Sequence, residues 1–548
     1  MCSARGGLVE RRIDYAEVLD ERTKILILVA VFSGLFLTSL DQTIVSAALP
    51  KILADLGDLD LLAWTSTAYL LVSTAALPIF GKLSDLYGRK GILVFGMVVF
   101  LVGSALCGLA PTMLALVVSR GLQGLGAGGI ASVALTIPAD LYPPAERARL
   151  QGWLASVFAV SGIVGPFLGG FLTDSFGWHW IFFINLPFGL PALLFALAAM
   201  PTLESGRTER AIDFAGAGLL LVTVVPLLVA CSLDPERFQD GLQVVPLLLA
   251  VSAVGLVIFL VVEGRAREPL LPLRLFRIPV FTLMCAISAL AGGCFISALL
   301  FLPIFLVNVL GTSATEAGLA IMPETIGFLI TAVVSGQIVQ RTGRYKGVLL
   351  AGLLLLCVAY GGLATLSPAT QLPQIWLWMT ILGLGIGATF PQVNLALQNA
   401  VPYADVGTAT SGRLFFVQLS QTAAGAIFGG VLTTLVTASL VGGLAPITAD
   451  LPGASARYLD TRVLRNGGEA AANALVAFER TLPPPQRVAV VGEVREVLHR
   501  AFADAVVRLY TYAVPLVVVA TLLGLVVPEL PLRRSNTQEG ASLAGETG

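Results

Sequence analysis

GKLSDLYGRK, Gly81 to Lys90, is a short basic stretch between two long apolar runs, and GQIVQRTGRYK, Gly336 to Lys346, repeats its pattern in the second half of the chain. In both copies two glycines stand seven apart and Arg follows the second. An internal echo between membrane-length hydrophobic segments is the mark of a duplicated polytopic protein, and it points to a transporter. The glycines allow a tight reversal and close approach to a neighbouring helix. Lys82, Arg89 and Lys90 are expected to hold the turn at the cytoplasmic surface. Asp85 is placed to pair with Arg89 or to sit near a helix N-terminus. In the second copy Gln340 stands where the first has Asp85, so the charged contact belongs to the first copy alone.

The rest of the chain agrees with a membrane assignment. Of its 548 residues 56% are hydrophobic and only 12% are charged, with a mean hydropathy of +0.87. That is too apolar for an ordinary soluble protein. A net charge of -1 excludes a general attraction to nucleic acid. Cys2, Cys107, Cys231, Cys285, Cys294 and Cys357 show no paired spacing, and the two histidines, His179 and His499, are far apart. Neither a disulfide framework, a metal centre, a cofactor site nor a catalytic triad is indicated, so no enzyme is expected.

Taking about 17 to 25 mostly apolar residues as one span, we read helices near 25–49, 62–80, 92–110, 113–137, 150–171 and 180–199. Two more lie near 213–231 and 243–263, and six near 280–308, 317–339, 347–366, 374–398, 408–436 and 506–528. The expected fold is all-α with fourteen transmembrane helices: a six-helix bundle at 25–199, a linker at 200–277 with two extra helices, and a second six-helix bundle at 278–528. Segments 1–24 and 529–548 are tails. The first lacks a cleavage site, so the first helix reads as an uncleaved span.

Lys82, Arg89, Lys90, Arg147, Arg149, Arg207, Arg210, Arg265, Arg267, Arg274, Arg277, Arg341, Arg344 and Lys346 all fall in even-numbered connections, which places both tails in the cytoplasm. The long loop 437–505 is then external. Its stretches 457–480 and 486–507 have helix-like spacing of Leu, Val and Phe about three consecutive prolines, Pro483 to Pro485, so an amphipathic helical hairpin is expected there.

Three intramembrane residues carry the chemistry. Asp41 lies eight residues before Leu49 and Arg120 seven after Met113, so each sits about 10 to 12 Å below the outer end of its helix. A lone ion there costs about 2.5 to 3.5 kcal/mol, so the two should face a cavity or each other. Burial disfavours a charged carboxylate and a nearby guanidinium favours it, which makes the pair a candidate proton switch. A static pair that only orients two helices is the alternative. Glu324, directly after Pro323, is a second candidate proton site or an anchor for a cationic substrate, the alternative being a boundary residue that reaches water by local unwinding at the proline. Ser161, Gly165 and Gly169, with Pro166 and Gly170, form a small-residue stripe for close helix packing. Gln42, Gln123, Gln392, Asn394, Gln398, Gln418 and Gln421 are expected to point into the bundle, partly as cavity lining and partly as links between helices.

Together GKLSDLYGRK, SRGLQGLGAGG (Ser119 to Gly129), SGIVGPFLGG (Ser161 to Gly170) and WHWIFFINLPFG (Trp178 to Gly189) resemble the major facilitator superfamily, in particular its fourteen-helix drug:proton antiporter branch. The resemblance covers nearly the whole chain. It implies that Gly81, Asp85, Gly88, Arg89 and Lys90 latch the two halves in the outward-open state, that the stripe on the fifth helix is the exporters' antiporter motif, and that Asp41 and Arg120 couple protons. Leu86, His179 and Val417 depart from the family pattern, where basic residues are usual. The implied protein is a proton-coupled multidrug exporter of the plasma (inner) membrane, a monomer acting on hydrophobic compounds, cationic ones among them. A gene for a periplasmic adaptor beside it would signal a larger assembly. The alternatives are an exporter of an endogenous lipid or metabolite, and a receptor or scaffold without turnover.

Overall fold

The computed structural model describes residues 18–62, 64–201, 213–232, 244–266, 268–449, 457–465, 467–482 and 484–533. The expectations for the two tails, and for Cys2, Arg207, Arg210 and Arg267, lie wholly or largely outside these residues. Fourteen helices among the described residues are long and apolar enough to cross a membrane. They are α1 (Glu21–Leu56), α2 (Trp64–Tyr87), α3 (Arg89–Gly108), α4 (Met113–Ala134), α5 (Pro144–Phe176), α6 (Asn185–Ala199, whose span begins with the short helix Trp180–Phe183), α7 (Phe214–Ser232) and α8 (Val244–Glu263). The second series is α9 (Pro279–Asn308), α10 (Ala314–Thr342), α11 (Lys346–Leu363), α12 (Leu372–Ala400), α13 (Val406–Ala449) and α14 (Pro484–Val526). Helices dominate because a chain in hydrocarbon must satisfy every backbone N–H and C=O within itself.

Helices α1 to α6 pack as one bundle and α9 to α14 as another, with matching partners: α1 on α5 and α9 on α13, α2 on α4 and α10 on α12. The bundles meet along two seams, α2 against α13 and α5 against α10. Helices α7 and α8 pair with each other, and Leu220, Val224 and Leu228 of α7 join Leu71 and Leu77 of α2 and Phe415 of α13 on the flank of the first seam.

The repeated motif is a helix-to-helix junction rather than a loop. In each copy the first glycine lies inside a helix and only the second reverses the chain. Gly88, at φ +92°, joins α2 directly to α3, and Gly343, at φ +69°, ends α10. A Cβ on Gly81 would overlap Ser411 of α13, and one on Gly336 would overlap the Ala148 carbonyl of α5. The first glycine therefore lets the two halves touch. Lys82 and Arg89 are also not at the surface as expected, since both are buried against protein acids.

The outer loop differs from expectation as well. Residues 486–507 form no separate hairpin arm, because they are the first turns of α14. Helix α13 continues to Ala449, which at 44 residues is about 65 Å, more than twice a hydrocarbon core. A short helix, Gly468–Thr481, buries Ala471, Leu475 and Phe478 in the same core as Leu440 and Leu444 of α13 and Val494 and Leu498 of α14. The region is a packed helical cap continuous with the second bundle.

Candidate functional site

Asp41 and Arg120 meet inside the first bundle. Arg120 Nη1 lies 2.5 Å from Asp41 Oδ2, and both residues are at most 1% exposed. Gln123 Nε2 donates to Asp41 Oδ1 at 2.8 Å and Asn185 Nδ2 donates to the same oxygen at 3.0 Å. The carboxylate thus has three side-chain donors from α4 and α6. Arg120 is held in turn: Nη1 donates to Gln123 Oε1 at 2.6 Å, Nε donates to the Thr65 carbonyl at 3.0 Å, and its guanidinium stacks 4.3 Å over the Tyr69 ring. Ser104 accepts from Asn185 at 2.9 Å and donates to the Phe182 carbonyl, which fixes the amide. An ion pair enclosed in this way survives burial because both carboxylate oxygens and the Nε and Nη1 of the guanidinium are hydrogen-bonded.

The stripe on α5 packs beside the pair. Ser161, Gly165 and Gly169 are all buried, whereas Pro166 is exposed and Gly170 half-buried. Thr43 of α1 donates to the Ser161 carbonyl at 3.1 Å, and a Cβ on Gly165 would overlap the Thr43 side chain. Thr43 is two residues from Asp41, so the stripe sets how closely α5 can approach the helix bearing the acid.

At the end of the molecule that carries the basic junctions, five residues form a chain crossing the seam twice. Thr408, in the first turn of α13, donates through its backbone N–H and its hydroxyl to Asp85 Oδ2, both at 2.7 Å. Asp85 Oδ1 is 2.5 Å from Arg89 Nη1, Arg89 Nε donates to Asp140 at 2.8 Å, and Tyr403 donates to Asp140 at 2.9 Å. Asp85 thus meets the positive end of the α13 dipole and an Arg together. Beside it Lys82 pairs with Glu268 at 2.6 Å, while Lys90 donates to the Leu197 carbonyl at 2.8 Å within the first bundle. Gln398 of α12 donates across the seam to the Leu135 carbonyl at 3.1 Å, and Thr74 of α2 donates to Gln418 of α13 at 2.8 Å. Apart from Thr74–Gln418, which lies near the middle of α2, these bridges lie in the half nearest the basic junctions, so the bundles are clasped at that end.

Glu324 belongs to neither group. It is 4% exposed within the second bundle, with its backbone against Gly383 of α12, and Thr325 donates to it at 3.2 Å. Of the expected polar residues, Gln123, Gln392, Gln398 and Gln418 link elements, while Gln42 is exposed. Sequence reasoning missed Asn185, Asp140, Tyr403 and Thr408. Asn185 did carry a signal, being an amide within the aromatic and apolar run Trp178 to Gly189.

Residues 31–425 match the Major Facilitator Superfamily. The Multidrug transporter protein MdtP of Bacillus subtilis is 35% identical over 79% of this chain and 80% of its own. Multidrug resistance protein 3 of the same organism is 36% identical over 78% of this chain and 83% of its own. Among solved structures the proton:xylose symporter XylE, at 15% identity, covers 94% of this chain and 98% of its own with a TM-score of 0.58, which shows a shared fold. With two matched bundles, fourteen spans and relatives of this similarity, the chain belongs to the Major Facilitator Superfamily and is a multi-pass membrane transporter.

Proposed function

We propose that this transporter is a proton-coupled exporter of hydrophobic small molecules, cycling between outward-open and inward-open states at the plasma membrane with both tails in the cytoplasm. The observation that carries it is the enclosed Asp41–Arg120 pair. A titratable acid held by a fixed cation has two stable conditions. Arg120 in contact with the carboxylate and Arg120 withdrawn from it are these two conditions, and the proton is exchanged in passing between them. The Thr43 contact to the α5 stripe links that exchange to helix movement. Glu324 is proposed as a second proton carrier, since no cation pairs with it among the described residues and an intramembrane acid is seldom structural.

In the clasped state the basic, cytoplasmic end is shut, so substrate leaves outward. Proton entry then resets the pair, the Asp85 chain opens, and substrate enters from the cytoplasm or inner leaflet. One proton moving inward gains about 2.3 kcal/mol per 100 mV, enough to drive a roughly 50-fold substrate gradient at that potential. The multidrug names of the Bacillus relatives support drug-like substrates. The test is proton release on adding a lipophilic drug to reconstituted protein: wild type should release protons and Asp41→Asn should not. Unaltered coupling in that variant would sink the assignment.

A further inference from the structure

Arg413 plays no part in the clasp or in the ion-pair nest, yet it is only 4% exposed. It lies seven residues into α13, about 10 Å from the helix start. Its Nη1 makes a long contact of 3.5 Å to Ser288 of α9, and its Nε has no partner. The acids around the seam are already engaged: Asp85 and Asp140 with Arg89, Glu268 with Lys82, Asp405 with Arg274. An unpaired guanidinium in an apolar layer is costly, so its retention asks for a ligand.

The surroundings point the same way. Gln398 Nε2 donates to Thr410 Oγ1 at 3.1 Å and so fixes the register of α12 against α13. The two helices run in opposite directions, so one turn further into the membrane brings Asn394 level with Arg413. Neither amide atom of Asn394 has a partner, and it is 2% exposed. Gln398 Oε1 is also unpartnered, so four of the sixteen such buried atoms among the described residues belong to Asn394, Gln398 and Arg413. Gln398, at the edge of this group, itself touches the first bundle. Through Gln398 this corner borders the seam that the clasp holds shut.

We propose that Arg413, with Asn394 and Gln398, is an acid-recognising subsite for substrates entering from the cytoplasm, so that this exporter takes amphiphiles bearing a carboxylate, sulfonate or phosphate group. A planar, permanently charged fork suits such groups, and side-chain amides fill their remaining lone pairs. The inference deepens the export reading by naming a substrate class. A binding assay keeps the two separable, because proton coupling does not enter it.

The experiment measures binding of naphthalene-1-sulfonate and of the isosteric, neutral naphthalene-1-sulfonamide to the purified full chain in neutral detergent. Wild type should prefer the sulfonate at least tenfold. Arg413→Gln should lose that preference while unfolding at the same or a higher temperature, and Arg413→Lys should keep part of it. Competition by phosphatidylglycerol but not phosphatidylcholine, absent in Arg413→Gln, would support the subsite and make a lipid headgroup its occupant. Equal binding of the two probes by wild type, or an undiminished sulfonate preference in Arg413→Gln, would overturn the proposal. Should Arg413→Gln not fold, an undiminished preference in Arg413→Lys together with Asn394→Leu would do so too.

Discussion

Asp41 shows how much a single residue's setting decides. Three donors reach its carboxylate, so removing its charge affects more than one bond: Asp41→Asn leaves Arg120 buried without a counter-charge. We expect a stability loss of about 3 to 5 kcal/mol, read from thermal or denaturant unfolding in detergent. The double variant Asp41→Asn with Arg120→Gln should lose clearly less than the sum of the single losses, and simple additivity would argue against a coupled pair. Asp41 and Arg120 were legible in the sequence because a charge inside an apolar run is conspicuous. Asn185 was less so, since one neutral amide in a helix carries little energetic signal until its partners are known. Arg413 was hidden for another reason: an Arg two turns into a helix reads as a snorkelling boundary residue, and only its burial against α9 shows it enclosed.

Elements explain where the seams lie. The first glycine of each repeated motif faces the opposite bundle, at Ser411 for Gly81 and at the Ala148 carbonyl for Gly336. Gly336→Val should therefore wedge α5 from α10 and hold the basic end apart. Spin labels at positions 149 and 341 would report a distribution shifted to longer distance, and an unchanged distribution would count against the seam. The number of spans was legible from hydrophobic length alone, because each crossing needs about 20 apolar residues. At the outer ends of α13 and α14 the helical spacing of 486–507 was legible, but not that it continues α14 or that α13 runs on to Ala449, because an amphipathic stripe does not say which core it packs against. Phe478, fully buried in the cap, supplies the check: Phe478→Ala should cost about 3 to 5 kcal/mol locally. Limited proteolysis should then cut between 450 and 484 faster, with transport-bundle unfolding little changed.

At the scale of the whole molecule, two bundles of similar internal pairing are held in one arrangement by a few polar bridges at one end. The five-residue chain from Thr408 to Tyr403 is the strongest of them, with charge-assisted bonds worth about 1.5 to 3 kcal/mol each. Asp85→Asn should weaken it enough to shift the equilibrium toward the inward-open state by roughly tenfold for each 1.4 kcal/mol lost. Labels at 149 and 341 would then show a second, longer population in otherwise folded protein. The most direct test of proton-coupled export is transport by proteoliposomes under an imposed pH gradient, with substrate and internal pH followed together. Drug accumulation should track proton efflux in wild type and vanish with it in Asp41→Asn. Gradient-independent drug movement, or full coupling in Asp41→Asn, would contradict the proton-exchange role given to Asp41 and Arg120.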